Sequence, residues 1–491
     1  MLISARKEMP LAGRKAESER LRKAWSSEEA ELIAIYGRRR IGKTYLIRSI
    51  LQEKGGYMEV TGLKDGSMEE QLAIFSQSFQ EIFFGGVPIQ PMRTWNAAFQ
   101  LFTAEMKKLR KNQKFVLFLD ELPWLSTPKS GLLQALDHYW NTEWSKLSNL
   151  KVVLCGSAAS WMLEHLIHAK GGLHNRITQR MHLQPFTLFE TEIFLRGRGI
   201  SLERAQIVEL YMAFGGVPFY LKEAEKGKSA AQIINRACFS KNGTLRDEFE
   251  RLFPSLFTHS EVHLGIFREI SRQRSGMSRT ELIEKLDLPS GGRFNQRIHE
   301  LEEAGFITAL IPYGNKRKEV FYRAIDEYCY FHSKWIAGAP KGIFTGSSSR
   351  YWEQKRGSPA WRAWAGYSFE GICLKHAESI RAALGIETID CETGSWRFMP
   401  PKKAKEHGAQ VDLLFDRSDG VITLCEIKHC ESEFVIDKAY ATELERKIEI
   451  FRKKHRTRKQ VFLTMITTRG VAKNMYYGKF VHSDLTLDAL F

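Results

Sequence analysis

The sequence has few cysteines, and none of them forms a CxxC pair. Seven are scattered over 491 residues. Three of them, Cys155, Cys373 and Cys425, lie inside apolar runs and are expected to be reduced core residues. These features exclude a disulfide scaffold and a zinc ribbon, and they favour a reducing, cytoplasmic location.

Long apolar runs are also missing. No uninterrupted stretch reaches the roughly 18–20 apolar residues that a membrane span requires. Residues 1–27 are charged throughout and lack the apolar segment of a secretory signal. We therefore expect neither a membrane partner nor a secretory signal. The sequence also shows no internal repeat.

The composition is that of an ordinary globular protein with an excess of positive charge. Hydrophobic residues make up 43% and charged residues 26%. A chain of this length predicts two to four domains at typical domain sizes. The formal net charge of +16 favours a polyanionic partner, with DNA as the first candidate. The alternative is a basic soluble enzyme without such a partner.

Strand-like and helix-like segments alternate in the first third of the chain. Residues 31–36, 115–119 and 151–155 are short apolar runs, and helical stretches lie between them. This order predicts a parallel sheet with helices on both faces. Residues 187–257 are helical in pattern, and residues 337–359 are rich in Gly, Ser, Lys and Pro, which is typical of a linker.

The strongest local motif follows the first apolar run. It fits GxxxxGK[ST] and opens a predicted helix, which is the context that a phosphate-binding loop requires. Backbone N–H groups and a lysine would hold the phosphates of ATP, and the final hydroxyl would hold Mg²⁺. The alternative is a chance glycine-rich turn. The motif comprises Gly37, Arg38, Arg39, Arg40, Ile41, Gly42, Lys43 and Thr44.

Polar residues at the ends of two later strands complete a candidate nucleotide site. Asp120 follows residues 115–119 and is positioned to hold Mg²⁺ together with Thr44, while Glu121 could polarise the attacking water. Ser157 follows the third strand and could sense the γ-phosphate. A strand that runs out to a polar surface would give the same local pattern.

These motifs resemble those of the archaeal-type AAA+-related P-loop ATPases. The resemblance covers about residues 8–225 and includes Leu11 to Arg14, the arginine-rich loop and the Gly215 to Tyr220 break. It implies an ATPase module with a helical lid in which Arg14 lies near the adenine. It also implies an arginine finger, for which Arg176 is the counterpart; Asn175 replaces the family's glycine, and Arg180 is a neighbouring alternative.

The middle of the chain resembles a winged helix-turn-helix. Predicted helices at 262–273, 279–286 and 292–304 are followed by two short strands, at 306–312 and 319–324. A packing or protein-interaction module is the alternative to DNA contact. The residues suited to bases or phosphates are Arg293, Asn295, Gln296 and Arg297 on the third helix, and Lys316, Arg317 and Lys318 at the wing tip.

A second chemical constellation lies near the C-terminus. Asp412 falls in one strand-like run, while Glu426 and Lys428 end the next and share a face by strand alternation. Two carboxylates can share a divalent metal ion, and the lysine can stabilise negative charge. With Glu370 on an upstream helix, this order resembles the PD-(D/E)xK nuclease superfamily. A surface-charged strand pair or a fold that only binds are the alternatives.

The sequence therefore predicts a cytoplasmic multidomain α/β protein that binds ATP, Mg²⁺ and DNA. We expect an ATPase coupled to DNA binding and metal-dependent phosphodiester cleavage; the alternative is a nucleotide-dependent switch that binds DNA or protein without cleaving. A homo-oligomer is compatible with either function. The expected parts are a P-loop ATPase domain at 1–186, a helical lid at 187–258, a winged helix-turn-helix at 259–336, a linker at 337–360 and a restriction-endonuclease-like domain at 361–491.

Overall fold

The structure is a computed structural model that describes residues 11–167, 172–257, 260–314, 320–344, 350–400 and 407–491. The chain divides into two compact units. The first is built mainly from residues up to 185, and the second mainly from residues 186–491. Within the described ranges, no helix is both long enough and apolar enough to cross a bilayer.

A five-stranded parallel sheet forms the centre of the first unit. Its strand order is β2-β3-β4-β1-β5, and neighbouring strands pair in parallel. This confirms the parallel sheet that the alternating pattern predicts. The strands are β1 (Glu31–Tyr36), β2 (Gly56–Thr61), β3 (Phe115–Asp120), β4 (Leu150–Gly156) and β5 (Gln179–His182).

Helices cover both faces of this sheet because its central strands are apolar on both sides. Along β3, Val116 and Phe118 join one core, whereas Leu117 and Leu119 join the other. Such two-sided burial is the physical reason that these strands read as continuous apolar runs. The helices are α1 (Lys15–Ser26), α2 (Lys43–Leu51), α3 (Met68–Phe84), α4 (Trp95–Lys108), α5 (Leu122–Leu125), α6 (Leu132–Thr142) and α7 (Ala159–Met162).

The region after the sheet is helical, as its sequence pattern predicts. A side-chain capping box starts two of its helices, at Thr187 and at Ser229. The helices are α8 (Leu188–Gly197), α9 (Arg204–Phe214), α10 (Pro218–Leu221), α11 (Ala230–Phe239) and α12 (Glu248–Leu252).

Three helices and a small antiparallel sheet follow, with strand order β6-β8-β7. The sequence pattern does not reveal β6, because two residues are too few to show a periodicity. The predicted wing tip, Lys316 to Lys318, lies outside the described residues. The elements are α13 (Ser260–Arg272), β6 (Met277–Ser278), α14 (Arg279–Leu286), α15 (Gly292–Glu303), β7 (Ile307–Leu310) and β8 (Phe321–Ala324).

The segment expected to be a linker contains a packed helix. After α16 (Glu327–Phe331), the chain forms α17 (Tyr351–Lys355), in which Trp352 is fully buried. The Trp352 backbone N–H donates to Asn235 Oδ1 at 3.0 Å, and its ring meets Trp335 and Trp364 edge-on. The linker expectation is therefore wrong for residues 351–355, because burial of aromatic surface outweighs the flexibility that the Gly- and Ser-rich composition suggests.

A mixed five-stranded sheet ends the chain, with order β13-β12-β11-β10-β9. Strands β9, β10 and β11 pair antiparallel, whereas β11, β12 and β13 pair in parallel. The helix that carries Glu370 precedes the strands that carry Asp412 and Glu426, as the sequence predicts. The elements are α18 (Pro359–Lys375), α19 (Ala377–Ala383), β9 (Cys391–Phe398), β10 (Ala409–Arg417), β11 (Val421–Lys428), α20 (Lys438–His455), β12 (Gln460–Thr467), α21 (Met475–Phe480) and β13 (Ser483–Leu485).

Candidate functional site

The loop between β1 and α2 has the backbone geometry of a phosphate cradle. Gly37 has φ +144°, and a Cβ at this position would lie 2.2 Å from the carbonyl oxygen of Leu183. Gly42 is left-handed, with φ +90°, and is the N-cap residue of α2. Side chains are therefore excluded at one position and strained at the other, so both motif glycines are required by the loop itself.

Lys43 is buried beneath this loop. Its ammonium group donates to the carbonyl oxygens of Gly37, at 2.9 Å, and Arg38, at 3.0 Å. It also donates to Ser157 Oγ at 3.1 Å. Lys43 and Ser157 are thus brought together, although 114 residues separate them. Oxygen acceptors arranged around an ammonium group are what phosphate oxygens would replace.

Asp120 and Thr44 meet at the same edge of the sheet, because parallel strands carry their carboxyl ends to one side. Thr44 Oγ1 donates to Asp120 Oδ2 at 2.8 Å. Burial raises the pKa of Asp120 above its usual value. A hydroxyl and a carboxylate in contact are hard oxygen donors of the kind that Mg²⁺ takes in nucleotide sites, so the pair fits this ion.

Glu121 lies beside this pair and is held by Ser157. The backbone of Glu121 is in the left-handed region, with φ 49°. One carboxylate oxygen accepts from the Ser157 N–H at 3.1 Å, and the other accepts from the Ser157 hydroxyl. Ser157 thus contacts both Lys43 and Glu121. The contact links the residue expected to hold phosphate with the residue expected to activate water.

The arginines of the loop have different surroundings. Arg38 is buried. The guanidinium of Arg39 lies 5.7 Å from the ring centre of Trp124, and that of Arg40 lies 4.2 Å from the ring centre of Phe219. Cation–π contacts of this kind orient the side chains without neutralising them.

Ile41 contributes to the loop through its backbone, because its side chain lies in the core. Arg14, expected near the adenine, is also buried. It donates to the carbonyl oxygens of Ile41, at 3.3 Å, and Gln184, at 2.5 Å. Arg14 therefore ties the phosphate loop to the segment that follows β5.

Arg176 lies in the turn before β5 and is exposed. In the parallel register of β5 with β1, His182 is opposite Tyr36, at the loop end of the sheet. Arg176 lies six residues earlier in the chain, before the strand begins at Gln179. Its role as an arginine finger stays a prediction, and Arg180 lies on β5 itself with its side chain exposed.

The acidic residues of the C-terminal sheet come together on one face. The register pairs Leu413 with Cys425, which places Asp412 across from Glu426. Glu426 and Lys428 then share a face by alternation. Burial, together with the nearby charges of Glu370 and Glu426, raises the pKa of Asp412 to about 7. The other three predicted residues therefore all act electrostatically on Asp412.

Glu426 is buried and its Oε1 atom is surrounded by donors. Lys447 approaches this oxygen at 2.8 Å, Lys428 at 2.9 Å and the Tyr440 hydroxyl at 2.9 Å. Sequence reasoning missed Lys447 and Tyr440 as members of the site. Their spacing of seven residues on α20 was the available signal, because it places both on one helix face.

Glu370 is also buried and is held by two arginines from other elements. Arg323 of β8 lies 3.4 Å from Oε2, and Arg274, in the turn before β6, pairs with Oε1. No local sequence pattern indicates these pairs, which join residues 47 and 96 positions apart. Glu370 therefore connects α18 with the three-helix segment.

A metal ion fits the two opposed carboxylates better than it fits the whole cluster. Among the residues that the structure describes, no group of three or more His, Cys, Asp or Glu side chains is arranged to hold one. Burial raises the pKa of Asp412, and the nearby charges of Glu370 and Glu426 raise it further; a divalent cation would relieve the part that the acids contribute. The assignment of Asp412 and Glu426 as metal ligands stays a prediction.

The third helix of the middle segment presents polar residues to solvent. Arg293, Asn295 and Gln296 are exposed and Arg297 is half-buried, whereas Phe294 faces inward. Asn295 is already engaged, because its Oδ1 accepts from Arg279 at 2.7 Å. The helix thus presents a polar face to solvent.

Comparisons with known proteins find a matching family for the first unit and for part of the helical region that follows it. Residues 11–224 match a family described as an ATPase domain predominantly from Archaea. A segment of 41 residues, 8% of this chain, is 51% identical to the uncharacterized ATP-binding protein MJ0423 of Methanocaldococcus jannaschii and covers 70% of it.

Two further similarities are weaker. The uncharacterized protein MJECL04 of the same organism is 24% identical over 218 residues, which is 43% of each chain, so the match spans less than half of that protein. The solved Walker-type ATPase PABY2304 of Pyrococcus abyssi has a TM-score of 0.49 and 18% identity, over 66% of this chain and 96% of that one.

Proposed function

Residues 11–224 belong to the family of ATPase domains found predominantly in Archaea, and from this premise we propose that the chain couples ATP hydrolysis to DNA binding and metal-dependent cleavage of phosphodiester bonds. The ATPase assignment follows from the family. The DNA-directed activity is supported by the net charge of +16 and by the acidic cluster of the C-terminal sheet.

In the ATPase site, each residue has a role that follows from its contacts. Lys43 exchanges its two loop carbonyls for β- and γ-phosphate oxygens. Thr44 and Asp120 would hold Mg²⁺, which neutralises charge on the phosphates. Glu121 accepts a proton from the attacking water once Ser157 releases its carboxylate.

In the C-terminal site, Asp412 and Glu426 would hold a divalent cation between β10 and β11. Such an ion polarises the scissile phosphate and favours deprotonation of water. Lys428 lies beside Glu426 with about a third of its side chain exposed, so it can reach an incoming phosphate. Lys447 is more buried and fixes the orientation of Glu426. The three-helix segment would bind the flanking duplex as a winged helix.

One observation carries the cleavage proposal: the register of β10 against β11 brings Asp412 opposite Glu426, while the pKa of Asp412 is raised to about 7. A purely structural ion pair would place a cation next to each carboxylate. Asp412 instead contacts the amide of Gln410 at 3.2 Å and the N–H of Ile427 at 3.4 Å. An acid held near other acids is typical of a functional site.

A second function, a nucleotide-dependent switch that binds without cleaving, is favoured by a different observation. Glu426 already contacts two lysines, and Glu370 already contacts two arginines. Each of the two acids is therefore paired with cations of the chain without a metal ion. In a switch, these ion pairs would join the three-helix segment to the C-terminal sheet, and the site would catalyse no reaction.

Cleavage of plasmid DNA by the full chain distinguishes these functions. We expect nicking that requires Mg²⁺ or Mn²⁺, disappears in a chelator and is abolished by Asp412→Ala or Glu426→Ala while ATP turnover is retained. Asp416→Ala is the matched control, because Asp416 lies on the same strand but pairs with Lys459 at 2.6 Å. Equal nicking by wild type and Glu426→Ala, or none by wild type on any DNA with ATP and metal, would refute cleavage and leave the switch.

A further inference from the structure

The turn between α13 and β6 contacts the C-terminal acidic cluster. Residues 273–276 form a tight turn, closed by the Gly276 N–H on the Gln273 carbonyl at 3.1 Å. Arg274, inside this turn, reaches Glu370. Arg397 of β9 donates to the Ser275 carbonyl at 3.4 Å. The turn is thus fixed from two sides against the C-terminal domain.

The two arginines that hold Glu370 differ in their surroundings. The side chain of Arg323 is only 7% exposed. It donates to the Tyr367 carbonyl at 3.0 Å, and its guanidinium lies 4.0 Å from the centre of the Tyr367 ring. Arg323 is therefore a packed partner that cannot leave Glu370 without unsatisfied polar groups in the core.

Arg274, by contrast, is 63% exposed although it contacts a carboxylate that is only 5% exposed. One cation is sufficient to neutralise one buried carboxylate, and Arg323 supplies it. The charge of Arg274 is therefore an excess positive charge, held at the surface of the site. The contact with Glu370 fixes the direction of the guanidinium and reduces the entropy that a later contact would lose.

The charge of Arg274 interacts with more than one acid of this site. Burial alone would lower the pKa of Arg274, but Glu370 and, at longer range, Asp412 raise it overall. The guanidinium thus lies within the field of both acids. A DNA phosphate approaching Asp412 and Glu426 would experience repulsion from these carboxylates, which a nearby arginine would offset.

We infer that Arg274 is a phosphate-binding residue of the C-terminal site: while Glu370 holds one side of its guanidinium, the other N–H groups donate to a phosphate oxygen of bound DNA. The planar guanidinium has five N–H donors, and among the described residues it donates one hydrogen bond, to Glu370. This inference rests on the proposed DNA binding and adds a site contact from the three-helix segment, outside the nuclease-like domain.

DNA binding measured against salt concentration tests the inference. The full chain in a chelator, which prevents cleavage, is titrated into a fluorescently labelled DNA duplex. We expect Arg274→Gln to weaken binding about tenfold at low salt, the loss of one charge-assisted hydrogen bond. We also expect the slope of log affinity against log salt to fall by about 0.9, the contribution of one phosphate contact.

Arg272→Gln is the matched control. Arg272 lies two residues upstream, is 68% exposed and pairs with Glu269 on its own helix. Its replacement removes the same charge from the same surface, so it should leave the slope unchanged. Arg274→Lys should keep the slope but lose affinity severalfold, because an ammonium cannot contact the carboxylate and the phosphate in the same planar geometry.

The outcomes separate this inference from the proposed function. If wild type binds DNA and Arg274→Gln keeps its affinity and slope, the inference is wrong while DNA binding stands. An equal loss in Arg272→Gln would show a general field effect and would also overturn it. If wild type binds no duplex even at low salt, the DNA proposal and the inference fail together. If Arg274→Gln melts at a lower temperature than wild type, its loss of affinity could reflect a folding defect, and Arg274→Lys is then the deciding variant. Unchanged DNA affinity in Arg274→Lys overturns the inference.

Discussion

Replacing Asp412 by asparagine should stabilise the second unit at neutral and alkaline pH. The Asp412 carboxyl group has its pKa raised from an ordinary value of 3.8 to about 7, because it is buried and lies near Glu370 and Glu426. Asparagine keeps the shape and one oxygen acceptor, so it can still accept from the Ile427 N–H. It removes only the charge.

The sign and size of the effect follow from proton linkage. Because the folded chain binds this proton more tightly than the unfolded chain, wild type loses stability as pH rises from about 4 to about 7 and stays constant above. At about 1.4 kcal/mol per pKa unit, the full shift corresponds to an upper limit of about 4 kcal/mol. The advantage of Asp412→Asn should therefore be small near pH 4 and largest above pH 7.

Hydrogen–deuterium exchange of β10 and β11, compared between variant and wild type at each pH, measures this difference locally. Asp416→Asn is the matched control: Asp416 accepts from Lys459 at 2.6 Å and from the Tyr313 hydroxyl at 2.7 Å, so its variant should exchange faster. Added Mn²⁺ should slow exchange in wild type above pH 7 but not in Asp412→Asn. If Asp412→Asn exchanges faster than wild type at pH 8, the charge stabilises the fold and the reasoning is refuted.

Further predictions concern the first unit. Lys43→Ala should weaken ATP binding about 100-fold or more, because several charge-assisted hydrogen bonds are lost. Glu121→Gln should bind ATP normally and hydrolyse it about 10²–10⁴-fold more slowly. Equal turnover by Glu121→Gln and wild type would show that Glu121 has no catalytic role. Arg176→Ala should leave the Kd for ATP unchanged in a titration of the monomer, since Arg176 lies in the exposed turn before β5, whereas His182 lies at the loop end of that strand; weaker binding would place Arg176 at the ATP site. Burial lowers the pKa of Lys151 to about 8. The unfolded chain therefore binds more protons than the folded chain between about pH 8 and 10.5, and the free energy of unfolding should rise with pH in that window. Lys151→Met should abolish this rise, measured as the urea midpoint, and a rise that persists would come from another group.

Local patterns predicted those features that depend on neighbouring residues in the chain. The phosphate loop is a contiguous strand, turn and helix, so its motif specifies its geometry. The opposition of Asp412 and Glu426 followed from two adjacent strands and their alternation. Both predictions needed only short-range periodicity.

Other features depended on contacts that no local pattern encodes. Arg274 and Arg323 reach Glu370 across 96 and 47 positions, and their neighbourhood in sequence is ordinary. Arg176 was assigned by resemblance, and it lies outside β5, where no strand register determines its distance from the loop. The Gly- and Ser-rich composition of residues 337–359 obscured the Tyr351–Trp352 pair, whose aromatic surface was the signal for a packed helix.

The buried Trp352 determines where the chain can be divided. Its ring lies among Phe331, Trp335 and Trp364, which come from both sides of the Gly- and Ser-rich segment. A fragment beginning at residue 361 would lose Trp352 and leave the Trp364 surface exposed to water. The C-terminal sheet is therefore not an independent domain joined to the rest of the chain by a flexible linker. Recombination or engineering that exchanges it between proteins has to carry residues from α16 onward, and the natural border for such an exchange lies upstream of the segment that looks like a hinge.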